Sequence, residues 1–189
     1  MKYDKIAAPA TGDFMRLEIG ENRIRIVSEP EERYNHFDNA TQKSTMCLGK
    51  EECPMCQAGD KAKVRFLYRV IDRRDGSLKL LEVGYMVVKQ IMGYRLDADY
   101  AFADIPDYDM KIVKSGAGLE TEYAVICSPR RSELTINEKD LVRVAEPVLS
   151  VIEKMREQTR AELGAKVLPT VTVTDEPEMP KVRVEDIPF

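Results

Sequence analysis

Along the first 135 positions apolar and polar residues alternate in short runs with a period of two, the mark of half-buried strands. Residues 22–27, NRIRIV, alternate arginine with isoleucine, and EERYNHF continues the sheet after Pro30. KVRFLYRVID and LKLLEV flank Arg73-Arg74-Asp75-Gly76-Ser77, and Asp-Gly between two β-rich runs is a hairpin signal. Residues 84–92, GYMVVKQIM, are apolar and glycine-bounded and predict a helix of one to two turns. DYDMKIVKSG and TEYAVICSP predict a second strand pair around the loop GAGLE. Residues 38–62 have neither period, so they predict an irregular loop organised by something other than a core.

From Ile136 the period lengthens. Leu141, Ala145, Val148, Ile152 and Met155 recur at helical spacing, Pro147 predicts a kink or split, and Gly164 predicts the end. Beyond Pro169, prolines and acids replace any core-forming pattern, which predicts a flexible acidic tail. The fold class expected is mainly β (α+β). Its parts are an OB-fold barrel with an inserted loop subdomain, a C-terminal helix and a disordered acidic tail. The boundaries are an N-terminal arm (1–14), a core (15–135) with the insertion at about 36–60, a helical segment (136–164) and the tail (165–189). No apolar run approaches the roughly 20 residues that cross a bilayer. MKYDKIAAPATGDF lacks the apolar stretch of a secretory signal, so a cytoplasmic chain without membrane contact is expected.

Charge changes this picture through its distribution. The formal net charge of the 189 residues is −4, yet residues 61–74 hold six basic residues against one acid, and residues 97–109 hold five acids and no base. Proteins that hold single strands combine a positive groove with aromatic faces on which bases stack. Lys63, Arg65 and Arg69 share one face of a predicted strand, and Arg23 and Arg25 alternate on another. Tyr34, Tyr94 with Arg95, and Lys111 with Lys114 are further candidates. An ordinary solvated strand and plain core packing of the aromatics are the competing readings.

The chain has one histidine and four cysteines. Cys47, Cys53 and Cys56 fall within ten residues, the last two in CPMC, and clustered cysteines in a cytosolic chain read as metal ligands before disulfides. A structural zinc takes four such donors in a closed tetrahedron. His36 is the natural fourth ligand, with aspartate or glutamate as alternatives. A redox CxxC would open a helix in a βαβ context, and none follows. Cys127 lies alone in EYAVICS and reads as a small buried hydrophobe.

The order His36, Cys47, Cys53-Pro-Met-Cys56, inserted between strands and followed by KVRFLYRVIDRRDGSLKLLEV, resembles the single-stranded DNA-binding, helix-destabilising proteins of T-even phages. DYDMKIVKSGAGLETEYAV looks like phage proteins of this type as well. The resemblance spans about residues 15–130 and implies an OB core with an embedded zinc subdomain. It also implies a role coating single strands in replication, recombination and repair. That family's basic N-terminal self-association segment has no counterpart here beyond Lys2 and Lys5. Separately, VEDIPF resembles the acidic tip with which bacterial single-stranded DNA-binding proteins dock onto replication and repair enzymes. By that resemblance Glu185, Asp186, Ile187, Pro188 and Phe189 recruit partners such as a polymerase, helicase, primase or recombination mediator.

Two other classes compete. A zinc-containing RNA-binding or transcription-associated module explains the cysteines and the basic strand but gives VEDIPF no purpose. A nuclease built on Asp97, Asp99, Asp104, Asp107 and Asp109 is the enzymatic alternative, which a solvated acidic loop explains more simply. A non-enzymatic protein is therefore expected. Deleting residues 182–189 should leave affinity for single strands unchanged or slightly raised while pull-down of replication enzymes is lost. Loss of DNA binding or of folding would refute the reading of the tip.

Overall fold

The computed structural model describes residues 14–38 and 43–167, the last three by backbone alone. Its strands are β1 (Gly20–Ile26), β2 (Glu31–Asp38), β3 (Lys43–Met46), β4 (Lys63–Asp72), β5 (Leu78–Val83), β6 (Tyr108–Ser115) and β7 (Glu122–Arg131). Its helices are α1 (Pro54–Gln57), α2 (Tyr85–Arg95), α3 (Ile136–Val144) and α4 (Val148–Val167). Residues 1–13 of the N-terminal arm and the tip residues Glu185, Asp186, Ile187, Pro188 and Phe189 lie outside the described residues.

Strand β4 is the hub. One edge pairs along Phe66–Ile71 with β5. The other edge pairs first with β2, over Lys63–Leu67, and then with β1, over Val70–Asp72. Two strands share that edge because the chain bends between them at Val27–Pro30, where the Arg69 amide donates to the Ser28 hydroxyl at 2.8 Å. β1 passes on to β6, and β6 to β7, giving the order β3-β2-β4-β1-β6-β7 with β5 beside β4. The strand pairs are antiparallel, and a single parallel bridge sets Phe14 beside Leu80.

The hairpin between β4 and β5 follows from its turn. Gly76 takes φ +71°, which a side chain would resist. Asp75 accepts from the Ser77 amide and hydroxyl at 2.9 and 2.6 Å. At the strand end Asp72 is fully buried but accepts from Arg74 at 2.7 Å and Lys79 at 2.9 Å. These partners offset the cost of burying its charge.

The sheet curls around one core made by Ile24, Ile26, Phe66, Tyr68, Val70, Leu81, Met110, Ile112 and Val125, with Val87, Val88 and Ile91 of α2 beneath. Cys127 is buried in it, as expected. A second core lies on the opposite face, where Met46, Leu67 and Leu80 meet Val148, Val151 and Ile152 of α4. β4 is therefore covered on both faces, and the expectation of an open basic face along Lys63, Arg65 and Arg69 is corrected: α4 lies over its middle, because Leu67 supplies apolar surface between the cations.

Four further expectations change. No pairing joins β5 to β7 among the described strands, so the sheet is open at the seam where the expected barrel would close. The 84–92 segment becomes a helix of 11 residues, because Gly93 and Tyr94 continue it. The cysteine loop contains β3, held by pairing with β2, and the short helix α1. The C-terminal helix splits at Pro147, as expected, but runs past Gly164 to Val167. No described helix is long and apolar enough to cross a membrane.

The charges around Asp109 tie the ends together. It accepts from Arg23 and Arg73 at 3.0 Å and lies 3.4 Å from buried Arg25, while Arg73 also pairs with Glu138 in the capping box that opens α3. For acid stability Asp72 is the clearest reporter. Hydrogen bonds from Arg74, then Lys79, hold its carboxyl at about 2 against an ordinary 3.8, despite burial. Its contribution is present above about pH 4 and is lost as pH falls from about 4 to about 2. Asp72→Asn should flatten stability against pH across that window in acid titrations of denaturant midpoints, and an unchanged slope would refute the assignment.

Candidate metal centre and adjoining groove

His36 stands near the end of β2, opposite Thr45 of β3. Just past β3 the Cys47 amide donates to the Tyr34 carbonyl at 2.7 Å, which fixes the first sulfur beside the histidine. Cys53 caps α1 with Pro54 at its first turn, and Cys56 follows one turn later on the same side. Gly49, at φ +98°, makes the turn between Cys47 and Cys53 and donates its amide to the Cys47 sulfur at 3.4 Å.

The four donors converge. His36 Nε2 lies 3.4 Å from Cys53 Sγ and 3.3 Å from Cys56 Sγ, and Cys47 Sγ lies 3.4 Å from Cys56 Sγ. All four ligand atoms fall within 4.8 Å of one another, close enough to hold one metal ion. His36 is wholly buried, and its Nδ1 sits 2.8 Å from Asp60 Oδ2. That carboxylate orients the ring so that Nε2 faces the sulfurs, the arrangement found behind metal-bound histidines. Burial pushes the Cys53 thiol up, but amides of Cys56, Leu48 and Met55 together with His36 bring it down to about 7. A lowered thiol favours the thiolate a metal requires.

Among the described residues this is the cluster with metal-ligand geometry. The acidic loop is arranged otherwise. Asp109 is paired with arginines, Asp107 with Arg131 at 2.7 Å, and Asp104 lies 3.9 Å from Arg95. Asp97 accepts from the amides of Asp99 and Tyr100. The carboxylates thus serve different partners and do not converge.

Two hollows adjoin the metal loop and β4. The first, a groove of about 590 Å³, opens where the sheet fails to close. Lys63, Val64 and Arg65 form one wall, Gly84, Tyr85 and Met86 the start of α2, and Thr121, Glu122 and Tyr123 the other wall. Tyr85 is 55% exposed and Tyr123 37%, so both present ring surface to it. The second hollow, about 600 Å³, runs from Tyr34 past Cys47 and Cys56 to Lys50 and Lys61. Lys61, Ala62 and Lys63 join the two.

The expected nucleic-acid contacts divide accordingly. Lys63 and Arg65 line the groove, Arg65 with its guanidinium 3.9 Å from Glu82, and Tyr34, 48% exposed, stands over the metal loop with its hydroxyl donating to Glu32 at 3.2 Å. Arg25 is buried against Asp109 and Ser132. Arg23 is half-exposed but paired with Asp109. Arg69 is partly buried under the junction of α3 and α4, donating to the Glu146 carbonyl at 3.0 Å. Tyr94 donates to the Val125 carbonyl at 3.1 Å and packs edge-on against Tyr100. Arg95 ends α2, away from the groove's lining. Lys111 pairs with Glu21 at 2.7 Å, and Lys114 donates to the Leu17 carbonyl at 3.2 Å.

Sequence reasoning missed Tyr85 and Tyr123. Each sits in a run read as helix or strand filler, and only the seating of α2 across the open seam brings them together. No protein-family model matches the chain, and no curated protein or solved structure matches it.

Because the loop has few apolar residues, metal binding should supply much of its ordering. Purified protein should carry about one transition-metal ion per chain by elemental analysis, chelation should lower its melting temperature, and Cys53→Ser should abolish stoichiometric metal. Asp60→Ala should weaken metal affinity about 10–100-fold in chelator competition. Metal-free protein from metal-replete cells with full stability would contradict the site.

Proposed function

We propose that the chain is a non-enzymatic single-stranded DNA-binding protein with an OB-type core and a structural zinc. The groove carries this reading: two cations, Lys63 and Arg65, face two exposed rings, Tyr85 and Tyr123, across an open trough. Cations neutralise phosphates, and rings of this kind stack bases of any sequence at about 1–3 kcal/mol each. The start of α2 adds to the same field. Its cap is Gly84, no acid occupies its first turn, and the positive end of the helix dipole is left open beside Arg65.

The path β5-β4-β1-β6-β7, with a helix between β5 and β6, supports the OB reading. It is the strand sequence of an OB barrel whose last seam is bridged by α2. The donor set supports zinc. A tetrahedral zinc with sulfur at ~2.3 Å and nitrogen at ~2.0 Å sets S···S near ~3.8 Å and S···N near ~3.6 Å. Three of the separations, at 3.3–3.4 Å, need to open by only a few tenths of an ångström, and all four donors lie within 4.8 Å of one another. Three thiolates and one imidazole leave no position for a reacting water, so the zinc holds the loop that carries Tyr34, Lys50 and Lys61. The resemblance to T-even phage proteins and the VEDIPF ending support coating of single strands with recruitment of replication, recombination or repair enzymes.

Fluorescence-anisotropy titration with matched single-stranded DNA, single-stranded RNA and duplex, repeated across salt, tests the proposal. Single-stranded DNA should bind best. Lys63→Ala with Arg65→Ala should lower the salt slope by about 2 and weaken binding across sequences. Tyr85→Ala should cost about 1–3 kcal/mol. Arg69→Ala should leave the slope unchanged. Equal affinity for duplex would refute the proposal, and preference for RNA would move the assignment to the RNA-binding class.

A further inference from the structure

Among the described residues the seam between β5 and β7 leaves the outward edge of β7 without a strand partner, and the way that edge is satisfied bears on the groove. Tyr123 and Val125 are paired across β7's other edge to Lys114 and Ile112 of β6. In an antiparallel strand the amide and carbonyl of alternate residues point to the same side, so Tyr123 and Val125 turn theirs toward the seam. Three of these groups meet side chains of α2. The Gln90 amide nitrogen donates to the Tyr123 carbonyl at 3.0 Å, the Val125 amide donates to Gln90 Oε1 at 2.8 Å, and the Tyr94 hydroxyl donates to the Val125 carbonyl. Gln90 thus offers one donor and one acceptor at the spacing of a peptide group, standing in for the missing strand.

We propose that Gln90 is the positioning residue of the groove. Resting on the proposed function above, the inference is that its paired hydrogen bonds fix the β7 edge, and with it the Tyr123 ring, at the distance from Tyr85 and Lys63 that a stacked single strand requires. Gln90 itself lines the groove at its base, and its amide is already committed to β7, so its effect on binding passes through Tyr123. Asparagine is too short by one methylene to reach both groups, and glutamate sets a carboxylate against the Tyr123 carbonyl.

The test uses Gln90→Met, which keeps the side-chain length and removes both hydrogen bonds, in the full chain with its metal. Amide hydrogen exchange at Val125 should accelerate at least tenfold while metal content and melting temperature stay near those of the unaltered protein. Affinity for an oligothymidine strand should fall about tenfold, with loss of the fluorescence change of a 2-aminopurine placed in it. In a Tyr123→Ala background Gln90→Met should add less than a twofold further loss, because the residue it positions is gone. Unchanged exchange at Val125, or a loss of affinity that adds in full to that of Tyr123→Ala, would overturn the inference. Should the unaltered protein not bind single strands, the functional proposal fails, and the exchange measurement still decides whether Gln90 holds the edge. If Gln90→Met unfolds, Gln90→Glu decides, since its carboxylate still accepts from the Val125 amide but repels the Tyr123 carbonyl: weaker binding with Val125 exchange unaltered or slower supports the inference, and unaltered binding overturns it.

Discussion

Everything in this molecule is arranged around a strand with no free side. β4 is hydrogen-bonded to β5 along one edge and to β2 and β1 along the other, and its two faces are buried in separate cores. A strand saturated in this way leaves only its ends for function. Its first residues, Lys63 and Arg65, project past the reach of both cores and into the groove. Its last, Asp72, is buried and anchors the hairpin through Arg74 and Lys79. Burial of Leu67 therefore decides where the cations can act, since the same apolar residue that draws α4 onto the sheet removes Arg69 from the surface.

Much of this was legible as pattern. The hairpin appeared because Asp75-Gly76 breaks two β-rich runs, and both β4 and β5 occupy the stretches their alternation marks. His36, Cys47, Cys53 and Cys56 were legible because thiol clustering has few other purposes in a chain with one histidine. What pattern does not carry is which element lies against which. Arg25 and Arg23 read as surface cations because alternation shows a face but not its neighbours. Asp109, 84 positions beyond Arg25, turns that face into an ion-pair cluster. Tyr94 and Tyr123 exchanged roles for the same reason: both are aromatic, but only one ends up facing the trough. The length of α2 was underestimated because Gly93 and Tyr94 read as the end of an apolar run, whereas Tyr94 is kept helical by its bond across the seam.

The metal loop and the groove meet in the chain at Lys61–Lys63. β3 is only four residues long and pairs with β2 alone among the described strands, so few backbone bonds hold the loop. The converging donors, with Asp60 behind His36, supply the remaining constraint, and α4 adds the Arg160 pair to Glu52 at 2.7 Å. Fixing this loop fixes Tyr34 and Lys61, which extend the line of rings and cations begun by Tyr85, Tyr123, Lys63 and Arg65. In the proposed function this line of rings and cations takes a flexible polyanion with exposed rings. A rigid duplex buries its bases and offers nothing for the tyrosines to stack on.

The most direct test is photocrosslinking of a single strand carrying 4-thiothymidine, followed by mass-spectrometric mapping of the attached peptides. The account predicts attachment at Tyr85 and Tyr123, with Tyr34 reached by longer strands. Attachment confined to the α3–α4 face, or spread over the surface without preference for the groove, would contradict it.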